Sequence, residues 1–317
     1  MQAIQLAATG GPEVLELKEL PEPTILRGEV LVKIDAIGLN FVDTLIRKGK
    51  YPSIQSFPAI MAGEIEGVIT SVSKDVTQFH PGQRVTGYTQ AAYAQFAAIS
   101  AEQLTVLPDN LPTGKGLLIQ HLTAQNLLHQ ASGYRSVLIT AAAGGVGSSA
   151  ICTARIKNIP VIAGLLGNMQ KAPYVQSLGA THVISYWEEN RVSQLKEITN
   201  GNGFDLILDS VGGEIGSALV NLLAPGGTLV VYGNSSGQPS SIDLQSVVVP
   251  AVRKITGARL NAAPAELKAK WTKEIFQWIT SGQLNVEATF YPLADAAGAH
   301  RDMENRTSTG RLILLPW

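Results

Sequence analysis

From Ser136 onward, short apolar runs alternate with helical patterns at a spacing that admits one architecture. Ser136–Thr140, Val161–Leu165, His182–Ser185, Phe204–Ser210 and Thr228–Tyr232 read as strands. Between them Val146–Lys157, Lys171–Leu178, Arg191–Thr199 and Gly213–Leu223 read as helices. Strand and helix in strict succession predict a doubly wound parallel sheet, because parallel neighbours need a crossover and the crossover helices cover both faces. Gly116–Gln130 predicts a helix leading into this region, and Ile255–Leu260 an edge strand closing it.

Before that region the pattern is different. Glu29–Ile34 alternates polar and apolar residues, as a half-buried strand does. Pro52, Pro58, Gly63, Gly67 and Pro81-Gly82 then punctuate the chain, which predicts an antiparallel β domain with few long helices. After it come an amphipathic helix, Ala265–Thr280, a shorter helix, Ala294–Asn305, and a closing strand, Arg311–Leu315. The expected division is 1–121 with 262–317 as one domain and 122–261 inserted between them; 317 residues suit two cores. There is no short repeat and no low-complexity segment.

Composition narrows the function. With 45% hydrophobic and 15% charged residues the chain has material for sizeable cores. A formal net charge of −1 gives no global pull toward nucleic acid or an anionic membrane. No apolar run reaches the about 18 residues that span a bilayer. Cys152 is the only cysteine, which excludes an internal disulfide and a thiolate-rich metal site. The start, Met1-Gln2-Ala3-Ile4-Gln5-Leu6, has no basic segment followed by an apolar one, so a cytoplasmic enzyme is expected.

The chemistry concentrates after the first strand of the alternating region, at Ala141-Ala142-Ala143-Gly144-Gly145-Val146-Gly147. Ala142-x-Gly144-x-x-Gly147 is a dinucleotide fingerprint with Ala in its first position, in the strand–turn–helix context the motif needs. Gly144 lets backbone approach a pyrophosphate, Gly147 lets helix and strand pack closely, and the helix N-terminus presents N–H groups to the phosphates. Gly-rich turns also join strand to helix with no ligand, and methyltransferases bind adenosine with a similar loop. The repeated strand–helix units argue against the first alternative. The second is disfavoured because no Asp or Glu occurs from Asn110 through Trp187. The carboxylate that NAD-binding folds place on the ribose about 20 residues on is therefore missing. Lys115, Arg135, Arg155, Lys157 and Lys171 lie in the same span. An acid would repel a 2′-phosphate, whereas Lys171, just beyond Val161–Leu165, is placed to reach it. NADPH is the expected cofactor.

Longer motifs carry a family resemblance. Ala36-Ile37-Gly38-Leu39-Asn40-Phe41-Val42-Asp43-Thr44-Leu45-Ile46-Arg47-Lys48-Gly49-Lys50-Tyr51-Pro52 and the loop at Gly144 resemble the quinone oxidoreductase (zeta-crystallin-like) branch of the medium-chain dehydrogenase/reductase superfamily. So do Gly10-Gly11-Pro12-Glu13-Val14-Leu15, Gly63-Glu64-Ile65-Glu66-Gly67, Pro81-Gly82-Gln83-Arg84-Val85 with Gln83 in place of Asp, Tyr232-Gly233-Asn234-Ser235-Ser236-Gly237 and Arg306-Thr307-Ser308-Thr309-Gly310-Arg311. The resemblance covers nearly the whole chain. It implies a Rossmann domain inserted into a GroES-like β-rich catalytic domain, with the active site in the cleft between them. It further implies that Ala143, Gly144, Gly145, Val146 and Gly147 hold the pyrophosphate, and that Gly167, Lys171 and Tyr186 surround the adenosine ribose phosphate. Thr123 is implied near the nicotinamide, Tyr232, Gly233, Asn234 and Ser235 along its side, and Arg306 closing over the cofactor.

In the superfamily's zinc alcohol dehydrogenases, Asn40 is the place of a Cys ligand and Gly63 that of a His. His80, His121, His129, His182 and His300 show no ligand spacing, so no metal is expected. Without a Lewis acid, reduction of an already electrophilic acceptor is the easier chemistry. The expected reaction is NADPH-dependent reduction of a quinone, with Asn40 donating a hydrogen bond to a developing oxyanion and Tyr51 stacking on the acceptor or donating its proton. Leu45 stands where this branch often has Tyr, which makes the pocket more apolar and keeps open a reductase of enones, alkenals or acrylates. A weakly catalytic NADPH-binding protein is the alternative from another class. The edge strand at Ile255–Leu260 predicts a homodimer by pairing across a two-fold axis.

Overall fold

The computed structural model describes residues 1–51 and 56–317; Pro52, one of the punctuating prolines, lies outside the described residues. The chain opens with β1 (Gln2–Leu6), β2 (Leu15–Glu19), β3 (Glu29–Leu39), α1 (Phe41–Arg47), β4 (Ala59–Ile60), β5 (Gly63–Val72), β6 (Arg84–Thr89), β7 (Phe96–Ser100) and β8 (Leu104–Val106). The alternating region follows: α2 (Ile119–Leu128), β9 (Ser136–Ile139), α3 (Gly145–Ile156), β10 (Val161–Leu166), α4 (Ala172–Ser177), β11 (His182–Ser185), α5 (Arg191–Ile198), β12 (Phe204–Asp209), α6 (Gly213–Leu219), β13 (Leu223–Val231), β14 (Lys254–Gly257) and α7 (Ala265–Thr280). It ends with β15 (Ala288–Pro292), α8 (Ala296–Glu304) and β16 (Arg311–Leu315). Among the described residues no helix is long and apolar enough to cross a membrane.

Two compact units result. The first comprises Met1–Ile119 and Glu287–Trp317, the second Gln120–Val286. In the first, a seven-stranded sheet has the order β15-β16-β3-β5-β6-β8 with β7 also on β3, and β2-β1-β4 forms a small second sheet. β3 alternates half-buried and buried residues up to Ala36, as a strand with one face to a core does. Its inward residues Val30, Val32 and Ile34 pack with Ile65, Ile69, Leu312 and Leu314. Each such side chain contributes about 1.5–3 kcal/mol by leaving water.

The second unit is a six-stranded sheet, β11-β10-β9-β12-β13-β14, and every pairing in it is parallel. β9 is buried at all four positions, because helices cover both faces. The strand order reverses between β9 and β12, which is where such sheets open a crevice at their carboxyl edge.

The differences from the sequence reading have local causes. The helix expected from Gly116 begins at Ile119, because the N–H groups of Gly114 and Gly116 go to the Glu66 carboxylate and those of Leu118 and Ile119 to Glu64. The helix expected from Lys171 is a single turn, Met169–Lys171, followed by α4; Pro173 suits the first turn of a helix. The tail expected to rejoin the first unit from residue 262 does so only from Glu287. α7 stays in the second unit: Trp271 packs edge-on to His129 on α2's C-terminal side, and Gln125 donates to Glu274. The edge strand runs over Lys254–Gly257 rather than Ile255–Leu260.

Candidate functional site

In the second unit the expected cofactor residues gather along one edge of the parallel sheet. β9 ends at Ile139, and Ala141 turns the chain with a left-handed φ of 48°. The Ala142 N–H donates to Leu165 O at 3.2 Å, and the Gly144 N–H to Ala141 O at 3.0 Å. The Tyr186 hydroxyl accepts the Ala141 N–H, so the end of β11 steadies the start of the loop. Gly144 is the N-cap of the twelve-residue helix α3, whose first turn carries no acid.

The glycines there are not equivalent. A Cβ at Gly147 would run into Ala141 O and the Ala142 backbone, and one at Gly145 into the Gln120 amide. Packing against backbone demands glycine at Gly147, whereas at Gly145 the Gln120 side chain would have to move. At Gly144 an added Cβ meets only Ala141 O at 3.4 Å, φ is an ordinary −81°, and the residue is exposed. Nothing among the described residues requires glycine at that place, which leaves the approach of a ligand as its physical reason. Gln120 escaped the sequence reading; its only signal is its spacing ahead of the loop.

One strand over, β10 ends beside β11 in register Leu166↔Ser185. Gly167 is exposed, and an added Cβ would touch only Tyr186 and Trp187 at 3.7 and 3.8 Å. Asn168 Oδ1 caps the turn after it by accepting the Gln170 N–H at 2.9 Å. Lys171 sits half-buried at the start of α4, where loss of water lowers the pKa of its amine. Tyr186 is buried in the unit's core rather than open to solvent, with its hydroxyl on the loop.

At the reversal point a buried latch joins β9 to β12. The Asp209 carboxylate accepts Thr140 Oγ1 at 2.9 Å, the Val211 N–H at 2.9 Å and the Gly212 N–H at 3.2 Å, while Thr140 Oγ1 accepts the Ser210 N–H at 2.9 Å. Neither residue stood out in the sequence, although an Asp ending an apolar strand before two glycines is a signal. The segment after β13 lies on this latch. Ser235 N–H donates to Ser210 O at 2.8 Å, and the Asn234 amide nitrogen donates to Gln238 O at 2.8 Å. Gly233 is closed against Ser210. Burial pushes the Tyr232 phenol up to about 12, with Ser210 opposing and Asp209 adding to the shift, so it stays protonated. Thr123 is half-buried on α2.

The remaining candidates belong to the first unit. Asn40 is half-buried at the N-cap of α1, and its N–H donates to Asp43 Oδ2 at 2.8 Å. Beneath it the Tyr93 hydroxyl contacts Asp43 at 3.5 Å and His300 Nε2 at 3.0 Å, and Arg47 pairs with Glu304. Burial raises Asp43 to about 7, against the opposing hydrogen bonds from Asn40 and Tyr93. Burial, then Arg47, lowers His300 to about 3, so its imidazole is neutral. Tyr51 is half-buried against the main apolar cluster. Arg306 is exposed on the turn after α8 with φ 58°. A Cβ added at Gly63 would meet the side chains of Ala92 and Tyr93 at 3.1 and 3.7 Å, so a side chain there needs the neighbours to give way. Among the described residues no three side chains of His, Cys, Asp and Glu come together as a metal-holding group.

Residues 26–126 match the alcohol dehydrogenase GroES-like domain, and residues 178–314 the zinc-binding dehydrogenase family. The chain is 34% identical to the quinone oxidoreductase of Pseudomonas aeruginosa, over 99% of both. It belongs to the quinone oxidoreductase family. The fold agrees: the quinone oxidoreductase of Escherichia coli, solved in complex with NADPH, covers 100% of each chain with a TM-score of 0.91 at 32% identity. A 2-haloacrylate reductase of Burkholderia sp. is 32% identical over 97% of this chain and 96% of its own. The GroES-like and Rossmann units expected from the motifs are thus the fold of this quinone oxidoreductase family member. Its Gly144 and Gly167 cradles, the α3 N-terminus and the acid-free end of β10 fit a phosphorylated dinucleotide.

Proposed function

We propose that this protein is an NADPH-dependent quinone reductase that transfers reducing equivalents from NADPH to a quinone without a metal. The observation that carries the reading is the carboxyl edge of the second unit's sheet: Gly144 and Gly167 leave space that no side chain among the described residues claims, and no carboxylate ends β10. NADPH, when bound, supplies the hydride. The chain's own residues do the rest. The free N–H groups at the start of α3 hold the pyrophosphate with Ala143, Gly144, Gly145, Val146 and Gly147. Lys171 binds the 2′-phosphate, with Gly167 and Tyr186 forming the wall behind it. Tyr232, Gly233, Asn234 and Ser235, stiffened by the Asp209–Thr140 latch, line the nicotinamide side together with Thr123, and Arg306 covers the cofactor. Asn40, held by Asp43, donates its amide to the oxygen that gains charge, and Tyr51 stacks on the acceptor ring or gives its proton.

A second reading has two observations behind it. Leu45 replaces a phenol in the pocket-forming segment, and a relative of similar identity is named for haloacrylate reduction. An apolar wall suits an α,β-unsaturated carbonyl, with hydride going to its β-carbon. Steady-state NADPH oxidation across a panel of 1,2- and 1,4-quinones, enones, alkenals and acrylates tests both. The quinones are expected to turn over with the higher kcat/KM. Faster enone turnover replaces the reading with the second, and tight NADPH binding without turnover on any acceptor replaces both with a binding protein. The protein is further proposed to act in the cytoplasm as a homodimer. β14 has β13 on one side only, and pairing two copies along it removes an open edge. A monomer at micromolar concentration by light scattering rejects the dimer.

A further inference from the structure

Trp187 has no part in the fold that explains its position. The residue is 68% exposed, an unfavourable place for so large an apolar side chain. Yet the ring is held. Its Nε1–H donates to Gly167 O at 3.0 Å, its backbone N–H donates to Ser185 Oγ at 3.1 Å, and it meets Tyr186 edge-on with ring centres 6.3 Å apart. The indole is therefore fixed at the carboxyl ends of β10 and β11, the place where a nucleotide-binding sheet receives its adenosine ribose. Gly167, to which it is bonded, keeps open a space that backbone and packing do not require. An oriented aromatic face, a vacant glycine beside it, and Lys171 at the start of the next helix together describe a pocket for a purine carrying a phosphate.

We propose that Trp187 forms the outer wall of the adenosine 2′-phosphate pocket and stacks on the adenine of NADPH. The inference rests on the NADPH reading and adds to it a residue that binds the base. Stacking is indifferent to hydrogen-bond pattern, so Trp187 supplies affinity while Lys171 supplies discrimination for the phosphate. The ring also reports on the pocket, since a stacked purine changes indole emission.

The test uses the full-length protein, with adenosine 2′,5′-bisphosphate as a probe that has the adenosine end and no nicotinamide. Calorimetry gives its affinity, and tryptophan emission gives its location. The parent is expected to bind the probe with a change in emission. Trp187→Phe keeps a stacking face and is expected to bind nearly as well but to lose most of the emission change, since the other three tryptophans are elsewhere. Trp187→Ala is expected to weaken the probe about tenfold and to leave reduced nicotinamide mononucleotide unaffected. Parent-like affinity in Trp187→Ala overturns the proposal alone, as does probe binding to the parent that leaves its emission unchanged. No calorimetric binding of either the probe or NADPH to the parent overturns the NADPH reading and this proposal with it.

Discussion

The two units solve the problem of polar groups in opposite ways. The first buries ionisable side chains to bind backbone. Glu64, Glu66 and Arg311 are at most 3% exposed; Glu66 takes the N–H groups of Gly114 and Gly116 and pairs with Arg84, and Arg311 donates to Gly114 O and Leu117 O. The second, apart from the buried Asp209 latch, keeps the carboxyl edge of its sheet almost free of side-chain charge and offers backbone instead, at Gly144, Gly167 and the start of α3. The contrast teaches where each unit is vulnerable. A side-chain change breaks the first, because a lost carboxylate strands buried donors. A single added methyl breaks the second, because the site is shaped by the lack of side chains.

The largest effect is expected from Glu66→Ala. It strands two buried N–H groups and takes the carboxylate from Arg84, which keeps only the carbonyls of Asp109 and Leu111, and chemical denaturation should show a loss of about 3–5 kcal/mol in the first unit's stability. NADPH affinity of the folded fraction should be unchanged; an equal loss of affinity would break the contrast. Next come two alanine substitutions three residues apart. Gly147→Ala forces a clash with Ala141 O and should lower stability by about 2 kcal/mol or more. Gly144→Ala meets only an ordinary contact, so its melting temperature should match the parent while NADPH binding falls on the order of tenfold or more in calorimetry. If both variants lose stability equally, Gly144 is structural. Lys171→Ala should weaken NADPH about tenfold while leaving NADH binding nearly unchanged, which side-by-side titrations of the two cofactors would measure.

The smallest effect concerns pH. Asp43, raised from 3.8 to about 7 by burial, binds a proton in the folded protein over a range where the unfolded chain has released it. Its contribution to stability is therefore full below about pH 4 and is lost as pH rises to about 7. Glu64, raised to about 7 by burial against the pull of Arg311, has the same sign. Asp43→Asn removes the first contribution and leaves the second. The melting temperature of the variant minus that of the parent should become more positive from about pH 4 to about pH 7, and a difference that stays flat would show that Asp43 is ionised in the fold.

How much was legible beforehand follows from the range of each interaction. The parallel order was readable because strand and helix periods are local, and Gly144–Gly147 because a tight turn and a helix start lie within a few residues. Asn40 and Lys171 were readable as residue types in a motif. Trp187 was not, since exposure and a bond to Gly167, twenty residues back, exist only once β10 and β11 lie side by side. The whole of α7 was expected in the first unit and lies in the second for the same reason: Trp271 and Glu274 choose their partners on α2 and just after it, far off in sequence.

The amino-acid order by itself determined a doubly wound sheet, a glycine-rich turn and helix start after its first strand, a strand end without an acid, and a chain with a single cysteine. These follow from local periodicity and from which residue types are present at all. Only the tertiary structure decided which glycines serve the fold and which leave room for a ligand. It also showed that Tyr186 faces the core, and that Asp209 and Thr140 lock the reversal point. Those facts depend on what lies within 4 Å across strands distant in sequence, and no local pattern records that.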